Sequence, residues 1–157
     1  MMKIPEHSVK ESLKIANELL KKRRKFNPRD FVPGRVFLGR YTPKHKDLVH
    51  DKRPLVLILR VNSVHTLGLN LHWIPYTFRI KLVRTILEKN KNNILKGKSI
   101  DFKYTDLRPL LKNPGYRKCV RLYCNVGFSK FGVLVPPEHL LDMARLNAAI
   151  FSRKVKL

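Results

Sequence analysis

Carboxylates are what this chain has least of: 11 Asp and Glu stand against 34 Lys and Arg in 157 residues, a formal charge of +23. The shortage is not confined to a tail, because residues 1–30 hold nine basic and four acidic side chains and the rest of the excess falls on 31–157. Two long stretches have no acid at all. Residues 52–87 carry Arg53, Arg60, Arg79, Lys81 and Arg84, and residues 107–137 carry Arg108, Lys112, Arg117, Lys118, Arg121 and Lys130. Self-repulsion on this scale works against a compact state unless an anion neutralises it, and the phosphate backbone of nucleic acid is the commonest polyanion.

Other absences narrow the chemistry. There are two cysteines, Cys119 and Cys124, spaced neither as a C-x-x-C redox pair nor as a zinc half-site, so reduced structural thiols are expected. The six histidines, at 7, 45, 50, 65, 72 and 139, form no H-E-x-x-H motif and no i, i+4 helical pair, so neither a metal site nor a cofactor is expected. A Gly-rich phosphate loop and a nucleophile elbow are both missing, and Asp47 and Asp51 lie beside lysines that keep them ionised. The expectation is a protein that is not an enzyme. No apolar run approaches the ~18 residues of a membrane span, and the N-terminus has no apolar signal core, which predicts a soluble chain outside the general secretory route. With 43% hydrophobic residues, a wholly disordered basic condenser is excluded.

Periodicity outlines the elements. Ser8 with Glu11 three residues later is a capping-box signal, and Val9, Leu13, Ala16 and Leu20 then predict an amphipathic helix over about residues 8–25 that ends in Lys21, Lys22, Arg23, Arg24 and Lys25. Those cations suit a helix C-terminus and also a phosphate-binding cluster. Asn27-Pro28 opens a linker, which divides the chain into a basic N-terminal helix with linker (1–30) and an α+β domain (31–157). Pro33-Gly34 predicts a turn into a strand at Val36, Leu38 and Tyr41; Thr42–Pro54 has loop chemistry; Leu55–Leu59 is a buried strand. Leu67, Leu69, Leu71 and Trp73 alternate on a strand that pairs back as a hairpin. Pro75 starts a helix with Tyr76, Ile80, Val83 and Leu87 inward and Arg79, Lys81, Arg84 and Lys89 on the rim. Residues 90–99 read as a polar loop, 100–104 as a short strand, 116–126 as a helix in preference to a strand, and 130–135 as a strand. Pro136-Pro137-Glu138 opens a last helix through Leu140, Met143, Ala144 and Ala148. The fold class expected is α+β: a small antiparallel barrel-like (SH3-like) sheet with an N-terminal amphipathic helix and flanking helices.

The run Tyr41-Thr-Pro-Lys-His-Lys-Asp, then Arg53-Pro-Leu-Val-Leu-Ile, then Leu67-Gly-Leu-Asn-Leu-His-Trp-Ile-Pro-Tyr-Thr-Phe-Arg, resembles a family of small structural proteins of tailed bacteriophages, the DNA end protector proteins of contractile-tailed phages. The matching positions are Gly34, Tyr41, Pro43, Lys44, Lys46, Asp47, Pro54, Leu55, Val56, Leu67 to Leu71, His72, Pro75 and Arg79, with Trp73 where the family has Tyr. The resemblance covers residues 34–88. It implies a non-enzymatic virion protein at the portal, neck or tail, present in the host cytoplasm before assembly. Its implied partners are the ends of packaged double-stranded DNA and other virion proteins, with several copies in a ring and no membrane.

Charge and resemblance together single out Lys21, Lys22, Arg23, Arg24, Lys44, Lys46, Arg79, Arg84, Arg117 and Lys118 as phosphate contacts. A competing expectation is a neck, tail-completion or baseplate component whose cations face acidic virion proteins, with no DNA. Arg53-Pro54 ahead of an apolar strand is also similar to the PemK/MazF-like ribonucleases, but the segment after the third strand reads His72-Trp-Ile-Pro, with no Ser or Thr until Thr77, so half of that catalytic pair is missing. Asn70 and His72 read either as polar contacts to a ligand or as a structural pair tying down the 42–54 loop. Phe128 and Phe131 read as core packing ahead of base stacking.

Overall fold

Ser8 is extended and its Oγ accepts the Glu11 amide, which satisfies an orphan donor of the first turn and starts α1 (Val9–Leu20). The Glu11 carboxylate turns to His7 Nδ1 at 3.2 Å instead of back to Ser8, so half of the capping box forms. The helix is shorter than its pattern predicts. It closes at Lys21, whose Nζ bonds Glu18 Oε1 at 2.8 Å, and Lys22 and Arg23 follow beyond the last turn. The computed structural model describes residues 4–23, 30–41, 54–98, 100–128 and 132–151. The 42–53 part of the expected loop, Arg53 and Phe131 lie outside them.

Among the described residues five strands follow: β1 (Val36–Gly39), β2 (Leu55–Val61), β3 (His65–Asn70), β4 (Val120–Cys124) and β5 (Gly132–Val135). All pair antiparallel, in the order β4-β3-β2-β1-β5. Strands β4 and β5 are the two edges and do not pair with each other, so the expected barrel-like closure is corrected to an open sheet. Gly34, at φ +89, supplies the turn before β1 that Pro33-Gly34 predicts. The predicted β2–β3 hairpin forms too, its turn held by Asn62 Oδ1 accepting the Val64 and His65 amides at 2.8 and 2.7 Å.

Alternation gives the sheet two different faces. Val36, Leu38, Leu55, Leu57, Leu59, Leu69 and Val135 face the main aliphatic core, where α1 adds Ala16, Leu19 and Leu20. Helix α1 therefore shares one core with the sheet. On the other face Phe31, Phe37, Tyr41, Tyr123 and Phe128 make an aromatic cluster with ring centroids 4.9–5.6 Å apart, mostly edge-on. Phe128 is fully buried there, in line with core packing. Gly68 is required at its place on β3, because a Cβ would come within 2.3 Å of Val56 Cγ1 on the neighbouring strand.

The helices are α2 (Tyr76–Lys89), α3 (Lys91–Leu95), α4 (Arg108–Leu111), α5 (Pro114–Arg117) and α6 (Leu140–Ala144). Four expectations are corrected. The polar 90–99 stretch contains α3. Residues 100–104 form no strand, because buried Asn90 captures Asp101 from both sides: its Nδ2 donates to Asp101 O at 3.0 Å and its Oδ1 accepts Asp101 N at 2.6 Å. Ile100 and Phe102 are still drawn into the core. The centre of the 116–126 segment is strand β4, Val120–Cys124, between the end of α5 and a 3-10 turn at Asn125–Phe128, since the free edge of β3 pairs Leu67 with Leu122 and Thr66 with Tyr123 and so breaks the tie between two local periods. The final helix is broken into α6 and a 3-10 turn at Ala148–Phe151.

Candidate polyanion-binding surface

Two contacts bring the acid-free stretches together. Strand β4, from the second stretch, pairs with β3 from the first, and the Phe78 ring on α2 lies 5.1 Å from the Tyr116 ring on α5. Around that junction Lys81, Arg84, Lys112, Arg117 and Lys118 are exposed. The Arg121 guanidinium sits 5.2 Å over the Trp73 ring, and Arg60 lies 5.7 Å over Tyr104. Trp73 and Phe78 remain 47% and 43% exposed, unusual for large rings and characteristic of contact surfaces. Arg117 Nε donates to Leu111 O at 2.7 Å, which orients its guanidinium. The result is a cationic surface with aromatic side chains set into it.

The sequence-predicted contacts divide into four groups. Arg117 and Lys118 belong to this junction, and Arg84 stands exposed on α2 one turn beyond Lys81. Lys21, Lys22 and Arg23 are exposed elsewhere, at the end of α1, the helix that packs near β5 at the opposite edge of the sheet. Arg24, Lys44 and Lys46 lie outside the described residues. Arg79 is the correction. It is 2% exposed, its Nη1 donates to Leu146 O at 2.6 Å and its Nε to Ile74 O at 3.4 Å. Helical geometry puts it beside Ile80 and Val83 on the inward stripe, where carbonyls solvate the guanidinium in place of water. Burial lowers its pKa, yet an arginine stays charged.

Asn70 and His72 are also interior. Asn70 Oδ1 accepts the Tyr123 hydroxyl, while His72 Nδ1 accepts the Leu55 amide at 3.5 Å and its ring stacks on Phe151 at 4.6 Å. Both serve the interior, Asn70 toward β4 and His72 at the start of β2, while the loop that such a structural pair would tie down lies, over 42–53, outside the described residues. Lys89 is engaged by Asp106 at 2.8 Å, and that hydrogen bond holds the Asp106 carboxyl below the usual carboxylate range. Cys119 and Cys124 are both free, and burial pushes the Cys119 thiol up. Among the described residues no group of His, Cys, Asp and Glu is arranged to hold a metal, and no helix is long and apolar enough to cross a membrane.

Sequence reasoning missed Trp73, Phe78, Tyr116 and Arg121 as surface partners. Alternation puts Trp73 on the inner face with Leu71, but the chain turns into a 3-10 helix at Leu71–Trp73 and rotates the indole outward. The signal that does find the site is the absence of acids in both stretches. Comparison with protein-family models, with curated proteins and with solved structures gave no match for this chain.

Proposed function

We propose that this protein is a non-enzymatic structural protein of a tailed-phage virion that lies against packaged double-stranded DNA ends at the portal, neck or tail and grips phosphates without reading sequence. The observation that carries the reading is the meeting of two carboxylate-free stretches at the β3–β4 and α2–α5 contacts, leaving Arg117, Lys118 and Arg121 with no acid from either stretch beside them. Phosphates supply the anions that the chain itself lacks, and each one neutralised releases condensed counterion. The resemblance over residues 34–88 supports the virion assignment. A five-strand antiparallel meander whose last strand returns beside β1 supports an SH3-like description of the fold, in an open form.

Mobility-shift titration of linear duplex DNA tests the reading. Binding is expected at low salt, falling steeply as salt rises. Replacing Arg117, Lys118 and Arg121 together by Gln should flatten the log–log salt dependence by roughly 2 to 3, about one per lost phosphate contact. Absent binding, or binding indifferent to salt, overturns it.

A further inference from the structure

Between the outer side of α2 and residues 104–116 runs an open groove of about 680 Å³. Its floor is largely aliphatic: Leu82 from α2, Pro109 and Leu110 from the facing wall, with the Phe78 and Tyr116 rings at one place only. Thr85 continues the α2 wall, so Phe78, Leu82 and Thr85 follow one another along about 10 Å of helix axis. That is room for about two helical turns of an occupant.

The rim is charged with one sign. Asp106 is the sole carboxylate lining the groove among the described residues, and it is already taken, because Oδ2 receives Lys89 Nζ at 2.8 Å and the Lys103 amide at 2.9 Å. Lys81 and Lys112 stand on the two walls, exposed, and neither has an ion-pair partner among the described residues. An apolar floor between two uncompensated cations calls for an occupant with apolar side chains on one stripe and carboxylates on its flanks. Duplex DNA offers no apolar stripe. Stacked bases want flat rings along the whole track, whereas branched aliphatic side chains match Leu82, Pro109 and Leu110.

We infer that this groove docks a short acidic amphipathic helix from a protein partner, its apolar residues seated on Leu82 and Leu110 and its carboxylates meeting Lys81 and Lys112. The inference rests on the groove's aliphatic floor and does not need the DNA reading. The groove borders the cationic junction and shares Phe78, Tyr116, Lys81 and Lys112 with it, so an acidic helix here would lie beside duplex held on Arg117, Lys118 and Arg121.

The test uses the full chain and three fluorescein-labelled probes: a peptide of about 14 residues with Leu at i, i+4 and i+7 among Asp and Glu, the same composition scrambled, and a short oligo-dT strand. The amphipathic peptide should bind at least about tenfold more tightly than the scrambled one, and Lys81→Glu with Lys112→Glu should remove about tenfold of that affinity. Leu82→Gln should weaken the peptide similarly, and the two exposed lysine changes keep the test valid if that variant unfolds. Equal affinity for the scrambled peptide would falsify the proposal, since net charge alone would then explain binding. Oligo-dT that displaces the peptide and loses affinity in the same variants also overturns it, and assigns the groove to single-stranded nucleic acid.

Discussion

At the junction where the N-terminal segment and α1 meet residues 139–147, acids are spent on the chain's own cohesion; at the α2–α5–β4 junction the one carboxylate among the described residues lining the groove, Asp106, is taken by Lys89 and leaves the other cations without an acid. In the first region Glu11 and Asp142 lie 3.2 and 3.5 Å from the two nitrogens of a nearly buried His7, Glu18 holds Lys21, and Arg145 Nε donates to Pro5 O at 2.9 Å. In the second, Arg117 donates to the Leu111 carbonyl and Arg121 lies over the Trp73 ring, and neither they nor Lys118 has an ion-pair partner among the described residues. The difference teaches that the excess charge is not spread evenly as a solubilising coat. Where a cation serves the fold, the sequence supplies an oxygen for it, and where it does not, the anion has to come from outside.

The most severe way to probe that division is Arg79, a cation on the internal side of it. Arg79→Ala leaves the Leu146 carbonyl without its donor and opens space beside Ile80, so unfolding stability in urea should fall by about 3 kcal/mol. DNA affinity of the folded fraction should not change. A variant of normal stability with weakened DNA binding would return Arg79 to the surface set and break the contrast.

A smaller effect sharpens it. Changing Lys21, Lys22 and Arg23 together to Gln should flatten the salt dependence of DNA binding by less than the Arg117, Lys118 and Arg121 triple, because Lys21 already has Glu18 as its anion. Equal slopes would mean that both ends of the sheet contribute alike.

Trp73 offers a direct optical reading, being the chain's single tryptophan and lying under Arg121. Duplex DNA should alter its emission at low salt, and Arg121→Gln should reduce that change. An indole whose emission ignores DNA would move the contact surface away from β4.

The smallest expected effect is on pH dependence. The Lys89 hydrogen bond depresses the folded-state pKa of Asp106, so its contribution is present above the ordinary aspartate value of about 4 and is lost as pH falls through the folded-state value. The melting temperature should therefore drop slightly less in Asp106→Asn than in the unaltered chain on acidification below about pH 4. A larger drop in the variant would show that Asp106 is not held by its pair.

Much of this was legible in residue order because it depends on near neighbours. Ser8 caps α1 through an amide three residues away, Asn62 shapes its own hairpin turn, and Pro75 precedes α2. The site was half legible. The acid-free stretches and their cations are a matter of composition, but their meeting is not, since Phe78 and Tyr116 are 38 positions apart. Local patterns also failed where they tied. Residues 116–126 satisfy two periods, and only the unpaired edge of β3 chose between them.

Residue order alone thus settled the basic excess, the first three strands, the start of α1 and the extent of α2, because backbone propensity and side-chain period act over a few residues. Contact between distant segments decided the rest. It turned Arg79 inward onto Leu146, rolled Trp73 out under Arg121, bound Asp101 to Asn90 instead of to a strand, and left the sheet open. Each of those outcomes turns on which partner's oxygen, ring or free strand edge arrives from far along the chain, and a hydrogen bond or buried ring outweighs the slight local preference it overrides.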